Sequence, residues 1–451
     1  MATINGSNNS DFLNGTESAD LILGRKGKDV LLGNGGEDTL KGGGGKDTLD
    51  GGTADDEIFG QGGDDEIRGS AGNDFIDGGG KFDTADYSRL SQAITLEAAG
   101  SINKGSIGTD RILNVERIVG AAGQNNLIDG STGVSSATSF RVNLENESLR
   151  VKNVPGIGNL DFDVENFVNV IGTSQNDRIK GSSNNNFLEG NRGADTFIAT
   201  AGDDTIAGNR GSGVDDGSND TIDYNKLNVP ITLNPTGTIN KGSAGTDQLI
   251  RVETIVGASS QENTIDASSA DASIDVDLAA ETLEVDIPVI GTLERTVTNF
   301  TDVIGSTQAD SISDNGDDNF IDGGRGRDTL ESSIGNDTII GGGGRDTIIA
   351  DLGQDELTGG AGADTFVLRD GNNISFSDAG NSDRAFISDF TSGQDTIELA
   401  GDPSLYVSFS NGSNSRLAID SDFDGTFDFN SDELIASING SFDFDNDVVF
   451  S

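Results

Sequence analysis

The chain has 451 residues with 77 Asp and Glu against 28 Lys and Arg, a formal charge of −49; only 33% of it is hydrophobic, and 65 residues are glycine. Such a charge excludes nucleic-acid phosphate as a partner, and the composition excludes one conventional hydrophobic core. The absence of cysteine and histidine removes disulfides, thiolate nucleophiles, imidazole bases and the usual zinc ligands.

No stretch approaches the roughly 18 consecutive apolar residues of a membrane span. Met1 to Ser10 carries neither the basic nor the apolar region of a secretory signal. Low hydrophobicity with high charge is the composition of disordered chains. Periodicity overturns that reading. From the N-terminus, aspartates stand at Asp11, Asp20, Asp29, Asp38, Asp47, Asp56, Asp65, Asp74 and Asp83, each nine residues after the last. A glycine precedes each by five residues, from Gly6 through Gly78. Two residues after each stands an apolar side chain, from Leu13 through Ala85. The frame returns at Asp177, Asn186, Asp195 and Asp204, and again at Asp310, Asn319, Asp328, Asp337, Asp346, Asp355 and Asp364.

Between these blocks the segment from Asp83 to Ser131 recurs from Asp220 to Ser268, sharing the runs Ile102-Asn103-Lys104-Gly105-Ser106 and Ile239-Asn240-Lys241-Gly242-Ser243. Likewise Asn166-Phe167-Val168-Asn169-Val170-Ile171-Gly172 matches Asn299-Phe300-Thr301-Asp302-Val303-Ile304-Gly305, so a unit of about 135 residues is duplicated. Alternating runs at Ala93–Glu97, Ile118–Gly120, Ile231–Leu233 and Ile255–Gly257 predict short strands that continue the repeat architecture. After Asp364 the composition shifts, with eleven of the 22 phenylalanines between Phe366 and Phe450. A true apolar core is expected there.

Units such as Gly42-Gly43-Gly44-Gly45-Lys46-Asp47-Thr48-Leu49-Asp50 and Gly341-Gly342-Gly343-Gly344-Arg345-Asp346-Thr347-Ile348-Ile349 resemble the glycine-rich nonapeptide of repeats-in-toxin (RTX) proteins. The resemblance covers about half the chain strictly. It implies a right-handed, elongated parallel β-roll binding multiple Ca2+ ions. The ligands it implies are Asp29, Asp38, Asp47, Asp56, Asp65, Asp74, Asp83, Asp195, Asp204, Asp328, Asp337, Asp346, Asp355 and Asp364. Carbonyls of Gly24, Gly27, Gly33, Gly36, Gly42, Gly45, Gly60, Gly63, Gly69, Gly72, Gly341 and Gly344 would complete the sites. Weaker sites are expected at Asp11, Asp20, Asp177, Asp220 and Asp310. Units ending at Asp11 and Asp20 carry Asn9 and Ser18 at a turn-glycine position, that of Asp177 carries Gln175, and Asn186 and Asn319 replace the carboxylate.

Physics supports the same picture. If two units complete one coil, Asp29 and Asp47 stack at roughly 4.8 Å. A calcium ion takes six to eight oxygens at about 2.3–2.6 Å, so one ion would rivet coil to coil. One buried Leu or Ile per nine residues does not offset their ordering entropy, which makes calcium the expected folding switch. The competing reading is a metal-free solenoid whose aspartates face solvent.

Six segments are expected: RTX blocks at 1–86, 172–224 and 305–366, inserts at 87–171 and 225–304, and a Phe-rich cap at 367–451. The run Gly362–Leu368, followed by Phe386–Leu399, resembles the closing region of RTX and serralysin-type C-terminal domains. The terminal Asp447-Val448-Val449-Phe450-Ser451 is similar to uncleaved type I secretion signals. Direct export to the cell surface or medium through type I machinery is therefore expected. Asp420, Asp422 and Asp424 match the first half of an EF-hand loop, but Ser431 stands where its glutamate should be, with Asp432 and Glu433 close by.

These features point to a secreted calcium-binding structural protein, with itself or surface polysaccharide as partner. The alternative is an adhesin or carbohydrate-binding module, although zero Trp and three Tyr supply little aromatic platform for sugars. An enzyme is not expected. The H-E-x-x-H motif of RTX proteases is impossible without histidine, and no phosphate-loop run exists. Tyr87 and Tyr224, equivalent in the duplicated segments, are read as packed structural residues and not as catalytic phenols.

Overall fold

A computed structural model describes residues 1–98, 100–132, 137–209, 217–289, 291–369, 384–411, 414–420, 425–427 and 433–450. These fall into two compact units, Met1–Asp223 with Ser243–Val252, and Tyr224–Gly242 with Glu253–Ser451. The expected all-β class is what forms. Among the described residues no helix is long and apolar enough to cross a membrane.

In the first unit each nonapeptide supplies one short strand, and successive strands alternate between two sheets. Asp20–Lys26, Thr39–Gly44, Glu57–Gly62 and Phe75–Gly80 pair in parallel in one sheet. Val30–Leu32, Thr48–Asp50, Glu66–Arg68 and Thr84–Asp86 do so in the other. The register sets Leu40 opposite Ile58 and Leu49 opposite Ile67. One coil is thus two nonapeptides, as the aspartate spacing requires.

Strand alternation explains why the apolar residue two places after each aspartate is the invariant one. It is the single side chain of its strand that points between the sheets. Ile22, Leu31, Leu40, Leu49, Ile58, Ile67 and Ile76 all have 0% exposure. The core is a ladder one side chain wide per turn. The second repeat block stacks similarly, with Ile179 opposite Phe197 and Leu188 opposite Ile206.

The inserts continue the parallel stack but enlarge it in a way the strand pattern did not foretell. Thr95–Glu97 folds antiparallel onto Ser101–Asn103, which folds antiparallel onto Thr109–Leu113, and this last strand rejoins Phe75–Gly80 in parallel. A second antiparallel excursion runs through Ser139–Asn143, Ser148–Val154 and Gly158–Glu165 before the chain returns at Phe167–Ile171, parallel to Asn126–Asp129.

The second unit repeats these devices. Thr232–Asn234 and Thr238–Asn240 form a hairpin, and Ser273–Asp277, Thr282–Ile287 and Gly291–Thr298 form the longer excursion. The third repeat block stacks Ile312, Leu330, Ile348 and Phe366 in one sheet and Ile321, Ile339 and Leu357 in the other. Its closing segment is antiparallel through Tyr406–Asn411, Asn414–Ile419 and Glu433–Ser441. Val448–Phe450 adds a last parallel strand against Thr396–Leu399. The expected aromatic core is present there, with Phe390 5.7 Å from Phe442 and Tyr406 5.7 Å from Phe450, measured between ring centres.

Candidate metal centre

Each repeat aspartate ends a turn and begins a strand, so its carboxylate sits at the edge between the sheets. None of the strong candidates faces solvent: Asp29, Asp47 and Asp83 are 0% exposed, and Asp195, Asp204, Asp328, Asp337, Asp346, Asp355 and Asp364 are also buried. The competing expectation that these aspartates face solvent is thereby contradicted.

The two carboxylate oxygens have different tasks. Oδ1 accepts the main-chain N–H of the aspartate one coil earlier. Asp47 Oδ1 takes the Asp29 N–H at 2.8 Å, Asp65 that of Asp47 at 2.8 Å, and Asp56 that of Asp38 at 2.8 Å. The same link joins Asp177 to Asp195 at 2.7 Å and Asp328 to Asp346 at 2.9 Å. These charge-assisted bonds are coil-to-coil clips in their own right. The resemblance named these aspartates as ligands without dividing the two oxygens.

Oδ2 is the oxygen left over. In Asp29, Asp38, Asp47, Asp56, Asp65, Asp83, Asp328, Asp337, Asp346 and Asp364 it is buried with no hydrogen-bond partner. Leaving even one such group unpaired costs about 1–3 kcal/mol, and more when it is charged. Except at Asp337, where Ser332 stands five places earlier, a space kept open by glycine lies beside each Oδ2. A methyl group on Gly323 would stand 2.7 Å from the Gly341 carbonyl oxygen and 2.9 Å from Asp328 Oδ2. On Gly341 it would stand 2.6 Å from the Gly359 carbonyl and 2.9 Å from Asp346 Oδ2. Carbonyls of Gly24, Gly42, Gly51 and Gly60 converge similarly with Oδ2 of the aspartate of the coil before, whereas that of Gly33 faces Gly15.

The second carbonyl set lies elsewhere. The Gly45 carbonyl faces Gly63 on the Oδ1 side of Asp65, and Gly27 faces Gly45 likewise. Among the described residues no three acidic side chains converge. A cation here would therefore be held by a carboxylate plus main-chain carbonyls, an all-oxygen donor set of the kind calcium takes. The buried, orphaned Oδ2 atoms and the glycine-lined space beside them fit that ion.

Burial raises the carboxyl groups, with neighbouring acids adding to the effect and the N–H bond to Oδ1 opposing it. Asp56, Asp65 and Asp328 are pushed up to about 7, and Asp83, Asp337 and Asp364 to about 6. Asp29, Asp38, Asp47 and Asp346 rise for the same reason. A bound cation reverses this by favouring the ionised form.

The weaker candidates satisfy themselves. Asp11 Oδ2 accepts the Ser7 N–H at 2.6 Å and its hydroxyl at 2.9 Å. Asp20 Oδ2 takes both donors of Thr16 at 2.8 Å, Asp177 those of Thr173, and Asp310 accepts the Ser306 N–H on Oδ2 and its hydroxyl on Oδ1. In each case a hydroxyl residue stands four places before the aspartate. At the orphaned sites that place is held by a residue with positive φ, such as Arg25, Asn34, Gln61 or Gly342, Asp337 being the exception. The reversed φ turns the N–H away from Oδ2.

Several predicted positions need correction. Asp74 Oδ2 bonds Lys104 at 3.2 Å, and the space beside Gly69 is filled by the Tyr87 ring, so this unit does not present the open cradle expected of it. Asp220 needs none: it carries the same clip as the strong candidates, its Oδ1 accepting the Asp195 N–H at 2.7 Å, with Oδ2 beside Gly208. Asp420 is buried, and its Oδ2 accepts the Gly425 N–H at 2.9 Å; Asp422, Asp424, Ser431 and Asp432 lie outside the described residues. Tyr87 is fully buried and donates to Asp110 at 2.9 Å, a packed role as expected.

Other members of the ladder were missed. Across the first insert Asp110 and Glu116 accept the N–H groups of Asp74 and Asp83 at 3.0 and 2.8 Å. Asp247 and Asp395 do the same for Asp204 and Asp364 at 3.2 and 3.1 Å. For Asp110 a signal existed: it follows Asp74 by 36 residues, two coils. Asp314 occupies a glycine position, with Asn319 at the aspartate position. Burial pushes it up to about 8, and its Oδ2 joins Asn319 Oδ1 among the unpartnered buried oxygens.

The family model of the RTX calcium-binding nonapeptide repeat, four copies long, matches residues 5–40, 23–58, 41–76, 50–85, 171–206, 180–214, 302–330, 331–366 and 351–382. Among solved structures the extracellular lipase LipA from Serratia marcescens is similar at 17% identity over 73% of this chain, with a TM-score of 0.23; the chain spans 45% of the lipase. No curated protein matches.

Proposed function

From the premise that this chain carries blocks of the RTX calcium-binding nonapeptide repeat, we propose that it is a secreted structural protein of the cell surface or extracellular matrix that folds when it binds calcium. The observation that carries this reading is the succession of buried, unpartnered Oδ2 atoms in the first and third repeat blocks. Calcium, when bound, supplies positive charge and a demand for oxygen ligands.

The chain's own residues do the rest. Asp29 through Asp65, Asp328, Asp346 and Asp364 offer Oδ2. Glycines five places earlier leave room beside it, and carbonyls such as those of Gly42 and Gly341 face the same space. Without a cation the ladder holds like charges in low dielectric, on a chain whose net charge is already −49. Binding confined to the folded form then adds its free energy to folding. Low calcium inside a cell would keep the chain unfolded for export through type I machinery, and higher calcium outside would fold it. Self-association or surface polysaccharide are the partners this role calls for.

A far-UV circular dichroism titration from chelator to millimolar calcium, with magnesium as control, tests the reading. Cooperative gain of β signal with calcium, and little with magnesium, is expected, because magnesium demands a tighter octahedral cage. A β signal complete in chelator and unmoved by calcium would overturn it.

A further inference from the structure

Asp74 departs from the other aspartates of its row. Its Oδ1 accepts the Asp56 N–H at 3.0 Å in the ordinary way. Its Oδ2, however, meets Lys104 Nζ at 3.2 Å and the Ser70 hydroxyl at 3.4 Å. The same ammonium donates to the Ser70 carbonyl at 2.6 Å and to Asp110 Oδ1. Asp110 also takes the Asp74 N–H on Oδ1 and the Tyr87 hydroxyl on Oδ2. Lys104, Tyr87 and Asp110 are all 0% exposed.

An ammonium group has three N–H donors and no acceptor. Here three oxygens receive them: two carboxylates and a main-chain carbonyl of the turn. That is the donor chemistry of the neighbouring rungs, filled from within the chain. We propose that Lys104 is a tethered cation standing in for a calcium ion at the last rung of this row, so that the junction between the first repeat block and its insert closes without metal. The inference rests on the calcium reading of the other rungs.

Chain layout supports it. Lys104 directly precedes the short 3-10 turn Gly105–Ile107 and is held by its own backbone, its N–H donating to the Gly108 carbonyl at 2.9 Å and its carbonyl accepting from the Gln92 side chain. Lys241, the same residue of the duplicated run, is buried too. A lysine buried to this degree is costly unless its partners are fixed. The expected gain is that one rung of the row does not wait for an ion.

Calcium counting on the full chain separates the outcomes. Lys104→Gln removes the charge and leaves Asp74, Asp110 and the Ser70 carbonyl; it is expected to bind one more calcium ion per chain than the wild type, by isothermal titration and equilibrium dialysis. Lys46→Gln, at an exposed lysine of the same block, is expected to leave the count unchanged. Equal counts for Lys104→Gln and wild type would overturn the proposal, whereas a wild type that binds no calcium would sink the calcium reading itself. Should Lys104→Gln fail to fold, hydrogen exchange on the wild type decides. The Asp74 and Arg111 amides should be protected at calcium levels where those of Asp29 and Asp47 still exchange. Simultaneous protection would count against Lys104.

Discussion

Asp65 and Asp74 stand nine residues apart in consecutive repeats, and both are buried, yet they resolve the same electrostatic problem in different ways. Asp65 gives Oδ1 to the Asp47 N–H and leaves Oδ2 without a partner. Asp74 gives Oδ1 to the Asp56 N–H and has Oδ2 neutralised by Lys104. The first rung is incomplete until something arrives from solution. The second is complete as synthesised. A repeat motif therefore specifies where a cation is needed, and the surrounding chain decides whether it must be imported.

The sharpest way to break this comparison is to remove the carboxylate of the complete rung. Asp74→Asn strips Lys104 of a buried partner, and breaking a buried pair costs about 3–5 kcal/mol. In saturating calcium its denaturant midpoint should fall accordingly, with the calcium count unchanged. A midpoint equal to wild type would mean the pair contributes nothing to stability.

Asp65→Asn should behave oppositely. The amide oxygen can still accept the Asp47 N–H, but the charge that attracts the ion is gone. One ion fewer per chain is expected, together with more residual β signal in chelator, an effect of about 1–3 kcal/mol from no longer burying an unpaired carboxylate. Dialysis against labelled calcium and circular dichroism in chelator check both halves.

Acidity acts on the same carboxylates without mutation. Asp56 and Asp65 titrate near 7 in the fold against an ordinary 3.8, because burial disfavours their charge. Between those values the folded chain holds protons that the unfolded chain has released, so metal-free stability is full below about pH 4 and is lost as pH rises through about 7. Chelated protein should show more β structure at pH 5 than at pH 8. Calcium binding near pH 6 should release protons, which a pH-stat would register. No proton release would mean the carboxylates were already ionised.

The smallest effect belongs to the self-satisfied rungs. Thr16→Val removes the hydroxyl bond to Asp20 and should cost about 1 kcal/mol with no change in calcium count. A gain of one ion would show that the hydroxyl, and not the N–H, keeps Asp20 closed.

The nine-residue register made Asp47, Leu49 and the glycine at 42 legible, because turn, strand and buried position recur at fixed offsets. It also made Thr48–Asp50 predictable as a strand. Two kinds of information stayed hidden. One was the division of work between Oδ1 and Oδ2, which depends on which N–H the next coil presents. The other was everything carried across a gap in the repeat. Asp110, Glu116 and Lys104 join the ladder only once the antiparallel excursion at Thr95–Leu113 has folded. The hydroxyl rule at Ser7, Thr16, Thr173 and Ser306 lay in plain sight, but it means something only when φ at that place is known.

The clip from each aspartate N–H to the Oδ1 of the following coil always runs in one direction along the chain. Cut anywhere within the first repeat block, the stack therefore has unlike faces. The face toward the C-terminus offers neutral N–H donors, and the face toward the N-terminus offers charged acceptors that repel their own kind. A chain delivered into solution with its C-terminus leading would present an anionic template onto which each arriving coil docks donor-first. One delivered the other way would meet the next coil with neutral N–H donors at this bond, so the order of emergence changes which partner of a single hydrogen bond waits for the other.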